Sequence, residues 1–411
     1  MNKALLFSVV DKTKMFSRNF YLIAAVVAIV LVVAIVIFFP IAQAHTKWIE
    51  EAAISFEENK RYSTIFAING NTLVTRTYQH PNNYQSSDSK RPYKPDRTYI
   101  YTYNGKNWLQ QAELTIPEEK QSGEYGYIIS ESTAIDGDTI LLGANVFIRS
   151  GDSWSFSAKL QPPSFENLGM GKATVLDGDT AVIGSEYATH VFRRNPDTGN
   201  WLFETEIRRP FPQGKQLPGG EVAIDGDTLV DGNRVYRRSS TNDWLLEAEL
   251  TLNGKPIEKI SQVDISGNTI VVGMKTEFTI DDDSRGTAYV FERNPYTGVW
   301  KYKTKLIPHD MLTFAIYGFG SRIAIDGSII IAGHGFRIFN QLAYSLSWFL
   351  PKPKGRAYIF VRNQKGRWLH SATLKPNNKE KATGGDVTIS GNRVVVRGKD
   401  DNKLYIYKRV D

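Results

Sequence analysis

The chain has 411 residues, of which 41% are hydrophobic and 23% charged, with a formal net charge of +7 and no cysteine. That balance excludes a disordered polymer, and the missing cysteine excludes disulfides, thiolate metal sites and a cysteine nucleophile. Much of the positive excess sits in residues 1–19, where Lys3, Lys12, Lys14 and Arg18 stand against Asp11, and the rest is spread thinly with no dense basic run, which argues against a nucleic-acid partner.

Residues 20–40 follow this basic leader as an uncharged, largely apolar run rich in Val, Ile and Ala. Twenty helical residues at about 1.5 Å each span roughly 30 Å, the thickness of a bilayer core. A helix buried in a soluble protein needs a polar face, and this run has none. The basic flank before it predicts that residues 1–19 stay in the cytoplasm and that a linker, 41–47, leads to a body on the far side of the membrane, periplasmic or extracellular. The competing reading is a signal peptide cleaved after Ala42-Gln43-Ala44. The apolar segment exceeds the 7–15 residues usual for such peptides, which favours an uncleaved signal anchor.

From Trp48 to Asp411 the chain repeats itself. Tryptophan recurs at Trp48, Trp108, Trp154, Trp201, Trp244, Trp300 and Trp368, each opening a unit of four strand-like segments. The second and third segments flank a small polar turn, as in Ala134-Ile135-Asp136-Gly137-Asp138-Thr139-Ile140, with the turn glycine at Gly70, Gly137, Gly178, Gly226, Gly267, Gly327 and Gly391. Glycine flanked by Asp, Asn or Ser between apolar runs is a hairpin signal. The fourth segment is a Tyr/Val/Phe run ending in a basic residue, such as Tyr289-Val290-Phe291-Glu292-Arg293. No segment after the anchor shows helical periodicity. Seven four-strand units predict an all-β, seven-bladed β-propeller over 48–411; a linear β-solenoid is the rival architecture.

Phe319-Gly320 precedes Ile323-Ala324-Ile325-Asp326-Gly327, Gly333 ends the following arm, and Gly143-Ala144 occupies the matching place in an earlier unit. Glycines at corresponding positions recur at Gly184, Gly232 and Gly273 after the turn, and at Gly171, Gly219, Gly320 and Gly384 before it. In these motifs the sequence resembles the FG-GAP family of propeller repeats, also found in the integrin α head. The resemblance implies that the first hairpin arm lines a central channel and that each tryptophan strand forms the outer edge of the preceding blade. The strand from Trp48 to Phe56 then pairs with Leu404 to Lys408 and closes the ring. The calcium sites of integrin-like repeats need a longer loop between the hairpin arms, and here that connection is a tight turn in every unit. Neither a metal nor a cofactor is expected there.

Other candidate chemistry is sparse. Asp281-Asp282-Asp283 lies in a longer loop and is read as a solvated tip rather than a cation site. The histidines His45, His80, His190, His309, His334 and His370 match no spaced metal-ligand pair, and no nucleophile elbow or phosphate-cradling glycine motif stands out. Three units carry surplus residues between their second and third blade strands: about Thr77 to Arg97, with Tyr78, Tyr84 and Tyr93; Lys275 to Arg285; and His334 to Gly355, whose apolar members include Phe336, Phe339, Tyr344, Trp348 and Phe349. Loops at that position emerge from one rim. They are expected to form an interaction surface for a protein or glycan, or, in the last case, to fold over the channel mouth. The sequence therefore predicts a membrane-anchored, non-catalytic binding, adhesion or scaffold module. The alternatives are a carbohydrate- or peptide-active enzyme at the channel mouth, or a structural subunit of an envelope complex.

Overall fold

The structure, a computed structural model, describes residues 47–56, 62–79, 97–116, 132–163, 173–185, 188–209, 221–274, 287–309, 319–334, 356–377, 383–398 and 402–410. These form seven four-stranded antiparallel sheets arranged as the blades of a propeller. Blade one consists of Tyr62–Asn69, Thr72–Gln79, Arg97–Tyr103 and Trp108–Leu114, paired in that order. Blades two to six repeat the pattern within 133–159, 173–208, 222–249, 260–305 and 319–374. Blade seven takes Thr383–Ser390, Arg393–Gly398 and Lys403–Val410 from the end of the chain and Lys47–Ser55 from its other end. The closing pair runs antiparallel from Lys47↔Val410 to Ser55↔Lys403, so the ring is locked as the repeat predicts.

The first strand of every blade lies against the first strands of both neighbours, and Tyr62–Asn69 meets Thr383–Ser390 where the ring closes. First strands therefore line the centre and tryptophan strands form the periphery. The core follows from this geometry as seven apolar clusters, one in each seam between adjacent blades. Second strands are flanked by two seams, which is why they read as continuous apolar runs such as Ile270-Val271-Val272 and Val394-Val395-Val396, all fully buried. Peripheral strands keep one face in solvent, leaving Leu109, Leu202, Leu245 and Leu246 exposed.

Each first hairpin is a two-residue turn, for example Asp136↔Thr139 around Gly137-Asp138. The turn glycine takes positive φ, +51° at Gly137, while Asp138 does not. Glycine thus occupies the first central position, the requirement of a type II′ turn, and the preceding Asp ends the strand instead of entering the turn. A small two-stranded ribbon, Thr251–Leu252 with Lys255–Pro256, lies between blades four and five and was not anticipated by the repeat.

Antiparallel order gives the propeller two distinct rims. The turn rim carries the first hairpins, the loops between third and fourth strands, and Lys47, where the chain enters. The opposite rim receives all second-to-third connections and all passages from one blade to the next. The three long connections flanked by Gln79 and Arg97, Met274 and Thr287, and His334 and Ala357 therefore leave from one rim, opposite to Lys47.

Candidate functional site

On the turn rim, the residues that mark the repeat hold the blades to one another. The residue before each turn glycine reaches the next blade: Asp136, Asp177, Asp225, Ser266, Asp326 and Ser390 accept hydrogen bonds from the backbone N–H of Gly178, Gly226, Gly267, Gly327, Gly391 and Gly70, at 2.5 to 3.0 Å. Between blades one and two, Asn69 Nδ2 donates to Asp136 Oδ1 at 3.0 Å. A chain of polar contacts thus runs around the inner turn rim. Burial, with Asp225 and Asp136 nearby, raises the pKa of Asp177 even though the Gly226 N–H opposes the shift.

A second girdle lies further out. Every pairing of third with fourth strand contains a β-bulge, and the bulged residue is always the third after the tryptophan: Gln111, Ser157, Glu204, Glu247, Lys303, Ser371 and Glu51. A bulge re-aims one side chain. Here it turns the side chain into the seam, where Glu51, Glu204 and Glu247 accept from the indole Nε1 of Trp108, Trp244 and Trp300 in the following blade, at 3.0, 3.1 and 2.8 Å. The basic residue ending the third strand completes the latch, with Arg293 Nη2 2.6 Å from Glu247 and Arg238 Nη2 3.5 Å from Glu204. In the closing blade Arg393 pairs with Glu51 at 2.7 Å and covers the rings of Tyr103 and Trp108. Burial works against the Glu247 carboxylate, but hydrogen bonds from Arg293 and Trp300 outweigh it and hold its pKa below the usual range. Where the bulge offers Gln111, Ser157 or Ser371, the next tryptophan, Trp154, Trp201 or Trp48, has a buried Nε1 without a hydrogen-bond partner. The Trp-x-x-Glu recurrence was visible in the sequence at Trp48, Trp201 and Trp244, but only the bulge explains it.

The long-loop rim is supported by a buried polar cluster between blades three and four. The Arg209 guanidinium donates to Asp231 Oδ1 at 2.7 Å, to Thr189 Oγ1 at 3.0 Å and to the Ser185 carbonyl at 2.5 Å, and Thr189 Oγ1 also donates to Asp231. On the same strands, His190 Nε2 lies 3.3 Å from Glu206 Oε2. Glu206 is also hydrogen-bonded by Arg208. Burial pushes the pKa of His190 down despite the carboxylate beside it, leaving a neutral imidazole at neutral pH. Ser185 Oγ donates to the Ala188 carbonyl and accepts from the Ala188 N–H.

Two histidines that look scattered in the sequence meet in space. The His309 backbone N–H donates to His370 Nδ1 at 3.1 Å, and the rings lie 5.7 Å apart. Among the described residues no group of three His, Asp or Glu side chains is placed to hold a metal ion. Tyr78 falls in the second strand of blade one, backbone-paired with Ser63. Tyr84, Tyr93, Asp281–Asp283, Phe336, Phe339, Tyr344, Trp348, Phe349 and the apolar run 20–40 lie outside the described residues. No helix among the described residues is long and apolar enough to cross a membrane.

No family model matches the chain, and no curated protein matches it. Solved structures do. The β-propeller domain of Cps50 (Swd1) from Myceliophteria thermophila is 12% identical, with a TM-score of 0.50, and the match covers 89% of this chain and all of that one. A protein from Lactobacillus plantarum is 11% identical over 83% of this chain and 92% of its own, with a TM-score of 0.49. A candidate 6-phosphogluconolactonase from Bacteroides uniformis is 12% identical over 83% and 93%, with a TM-score of 0.47. At such identities the likeness to the first speaks to fold alone, a β-propeller, and the seven sheets and the closing pair make the chain from Lys47 onward a seven-bladed one.

Proposed function

We propose that this chain is a single-pass membrane protein whose propeller, anchored by residues 20–40 and held periplasmic or extracellular, is a non-catalytic platform that binds a protein or glycan at its long-loop rim. One observation carries the reading: Lys47, the described residue nearest in sequence to the apolar run, lies on the turn rim, while the three long connections leave from the opposite rim. A partner approaching from outside meets the long loops first. The repeated polar residues support a non-catalytic role, because the Asp and Ser side chains before the turn glycines and the Glu51, Glu204 and Glu247 bulge carboxylates are engaged in holding blades together. Two of the glycines on which the FG-GAP resemblance rests, Gly273 and Gly320, meet in the seam between blades five and six. A Cβ on Gly273 would lie 2.2 Å from the Gly320 carbonyl oxygen, and one on Gly320 would lie 2.7 Å from the Thr287 backbone, so both positions require glycine.

The test replaces residues 335–354 by a short Gly-Ser linker in the full chain and crosslinks partners from intact membranes. The expected result is an unchanged melting temperature with loss of the crosslinked partner. Equal partner recovery from the shortened and native chains overturns the assignment of this rim.

A further inference from the structure

The turn rim is divided by charge. Around blades five, six, seven and one, its turn loops are residues 267–268, 294–299, 327–328, 363–367, 391–392, 70–71 and 104–107. They carry Lys106, Lys365 and Arg367 and no carboxylate, and Lys47 adds a cation where the chain enters in blade seven. Around blades two, three and four the corresponding loops are 137–138, 151–152, 178–179, 195–200, 226–227 and 239–243. They carry Asp138, Asp152, Asp179, Asp197, Asp227 and Asp243 and no lysine or arginine. All ten of these side chains belong to exposed residues. Directly behind the acidic loops Arg149 pairs with Asp138, Arg237 with Glu247 and Arg238 with Glu204, while Arg193, hydrogen-bonded to the neutral Asn242, and Arg194, beside Gly199, keep their charge and leave the sector acidic by the surplus of its aspartates.

Two loops of the same build show the division at single-residue level. In Asn195-Pro196-Asp197-Thr198-Gly199 and Asn294-Pro295-Tyr296-Thr297-Gly298 the asparagine Oδ1 accepts from the next two free N–H groups, and the glycine N–H returns to the asparagine carbonyl. The tip is Asp197 in the acidic sector. In the basic arc it is Tyr296, 95% exposed, with Val299 48% exposed beside it.

We propose that the arc of the turn rim spanning blades five, six, seven and one rests on an anionic phospholipid surface. Lys47, Lys106, Lys365 and Arg367 face lipid phosphates, and Tyr296 and Val299 enter the headgroup layer. Aromatic side chains favour that layer, and each cation near an anionic surface adds attraction that decays within a Debye length. The acidic sector is repelled, so the propeller stands tilted, with Lys47 inside the docked arc. The proposal rests on the anchor reading above and adds an orientation to it.

The absence of cysteine allows clean single-site labelling. Thr297→Cys and Thr198→Cys, at equivalent places in the two loops, each carry a polarity-sensitive dye on the full chain. Each variant is reconstituted into vesicles of phosphatidylcholine alone, or of phosphatidylcholine with phosphatidylglycerol, containing a headgroup-attached quencher. In the anionic vesicles, quenching at Thr297→Cys is expected to exceed that at Thr198→Cys several-fold. It is expected to fall to the Thr198→Cys level at high salt or when K106E, K365E and R367E are combined. A chain that does not float with vesicles overturns the anchor and this proposal with it. A chain that floats but quenches equally at both sites, or shows no dependence on lipid charge, overturns the docked arc alone.

Discussion

Ser157 illustrates how much a single position contributes to this ring. It occupies the bulge that in other blades carries Glu204 or Glu247, and the indole Nε1 of Trp201 opposite it has no hydrogen-bond partner. Ser157→Glu supplies the missing acceptor, with Arg194 ending the third strand of the following blade as Arg293 does beside Glu247. It is expected to stabilise the protein by about 1 kcal/mol, read as a higher denaturation midpoint with an unchanged slope. Glu247→Ala works in the opposite sense. It strips a partner from Arg293 and from Trp300, and is expected to cost about 3 kcal/mol, whereas a surface ion pair would cost under about 1. Asp264 is the other residue with a readable energetic signature. Its side chain is partly buried and its carboxylate accepts from the Ile325 and Ile265 N–H groups at 2.8 and 2.9 Å. Burial dominates and pushes its pKa to about 7, with Asp326 and Asp225 adding to the rise against those two donors. A carboxyl whose pKa is higher folded than unfolded favours the folded state fully below the unfolded value near 4, and that contribution is lost as pH rises towards 7. Thermal melts from pH 5 to 8 should therefore show falling stability, and Asp264→Asn should flatten that fall; an unchanged pH profile in the variant would rule out this carboxyl as the source.

Among elements, the seam between blades five and six is the most tightly fitted. Beyond the Gly273–Gly320 contact, the side chains of Gln262, Asp264 and Ser266 accept in turn from Ile323, Ile325 and Gly327 N–H, a side-chain ladder along the inner strand of blade six. Gly273→Ala is expected to cost about 3 kcal/mol because neighbouring backbone must move. Gly137→Ala meets open space and carries only the roughly 1 kcal/mol strain of positive φ. Equal midpoints for the two variants in urea would refute the close-approach argument. The closing strand Lys47–Ser55 is the other decisive element, and its removal should abolish the single cooperative transition, since it exposes the edge of Lys403–Val410 and the latch at Arg393 together. These elements also show what the sequence made legible. Tryptophan spacing and turn glycines are local signals, so blade number and the four-strand unit could be read from them, whereas the pairing of Trp48's strand with the C-terminal one followed from the resemblance to known propeller repeats. The bulge could not, because Gln111, Ser157 and Lys303 share no chemistry and are united only by backbone register. The meeting of His309 with His370 and the Arg209–Asp231–Thr189 cluster depend on long-range packing that no spacing encodes.

On the scale of the whole molecule, structural polarity and inferred role run along one axis. The repeated side-chain contacts that join blades, the turn-glycine bonds and the Trp–Glu latches, lie on the turn-rim side, and the long connections leave from the other. The charge division of the turn rim lies across that axis, and it emerged only once loops distant in sequence were seen to be neighbours; the overall charge of +7 hides it.

The closing pair has a further consequence under the proposed tether. If residues 20–40 hold the chain and a partner holds the far rim, as proposed above, a pull on Lys47 is directed along the Lys47–Ser55 strand. Its eight residue pairings with Lys403–Val410 are then loaded in shear and must yield together, instead of peeling one after another. The junction where a circular fold is most easily opened is thus placed in its mechanically strongest orientation.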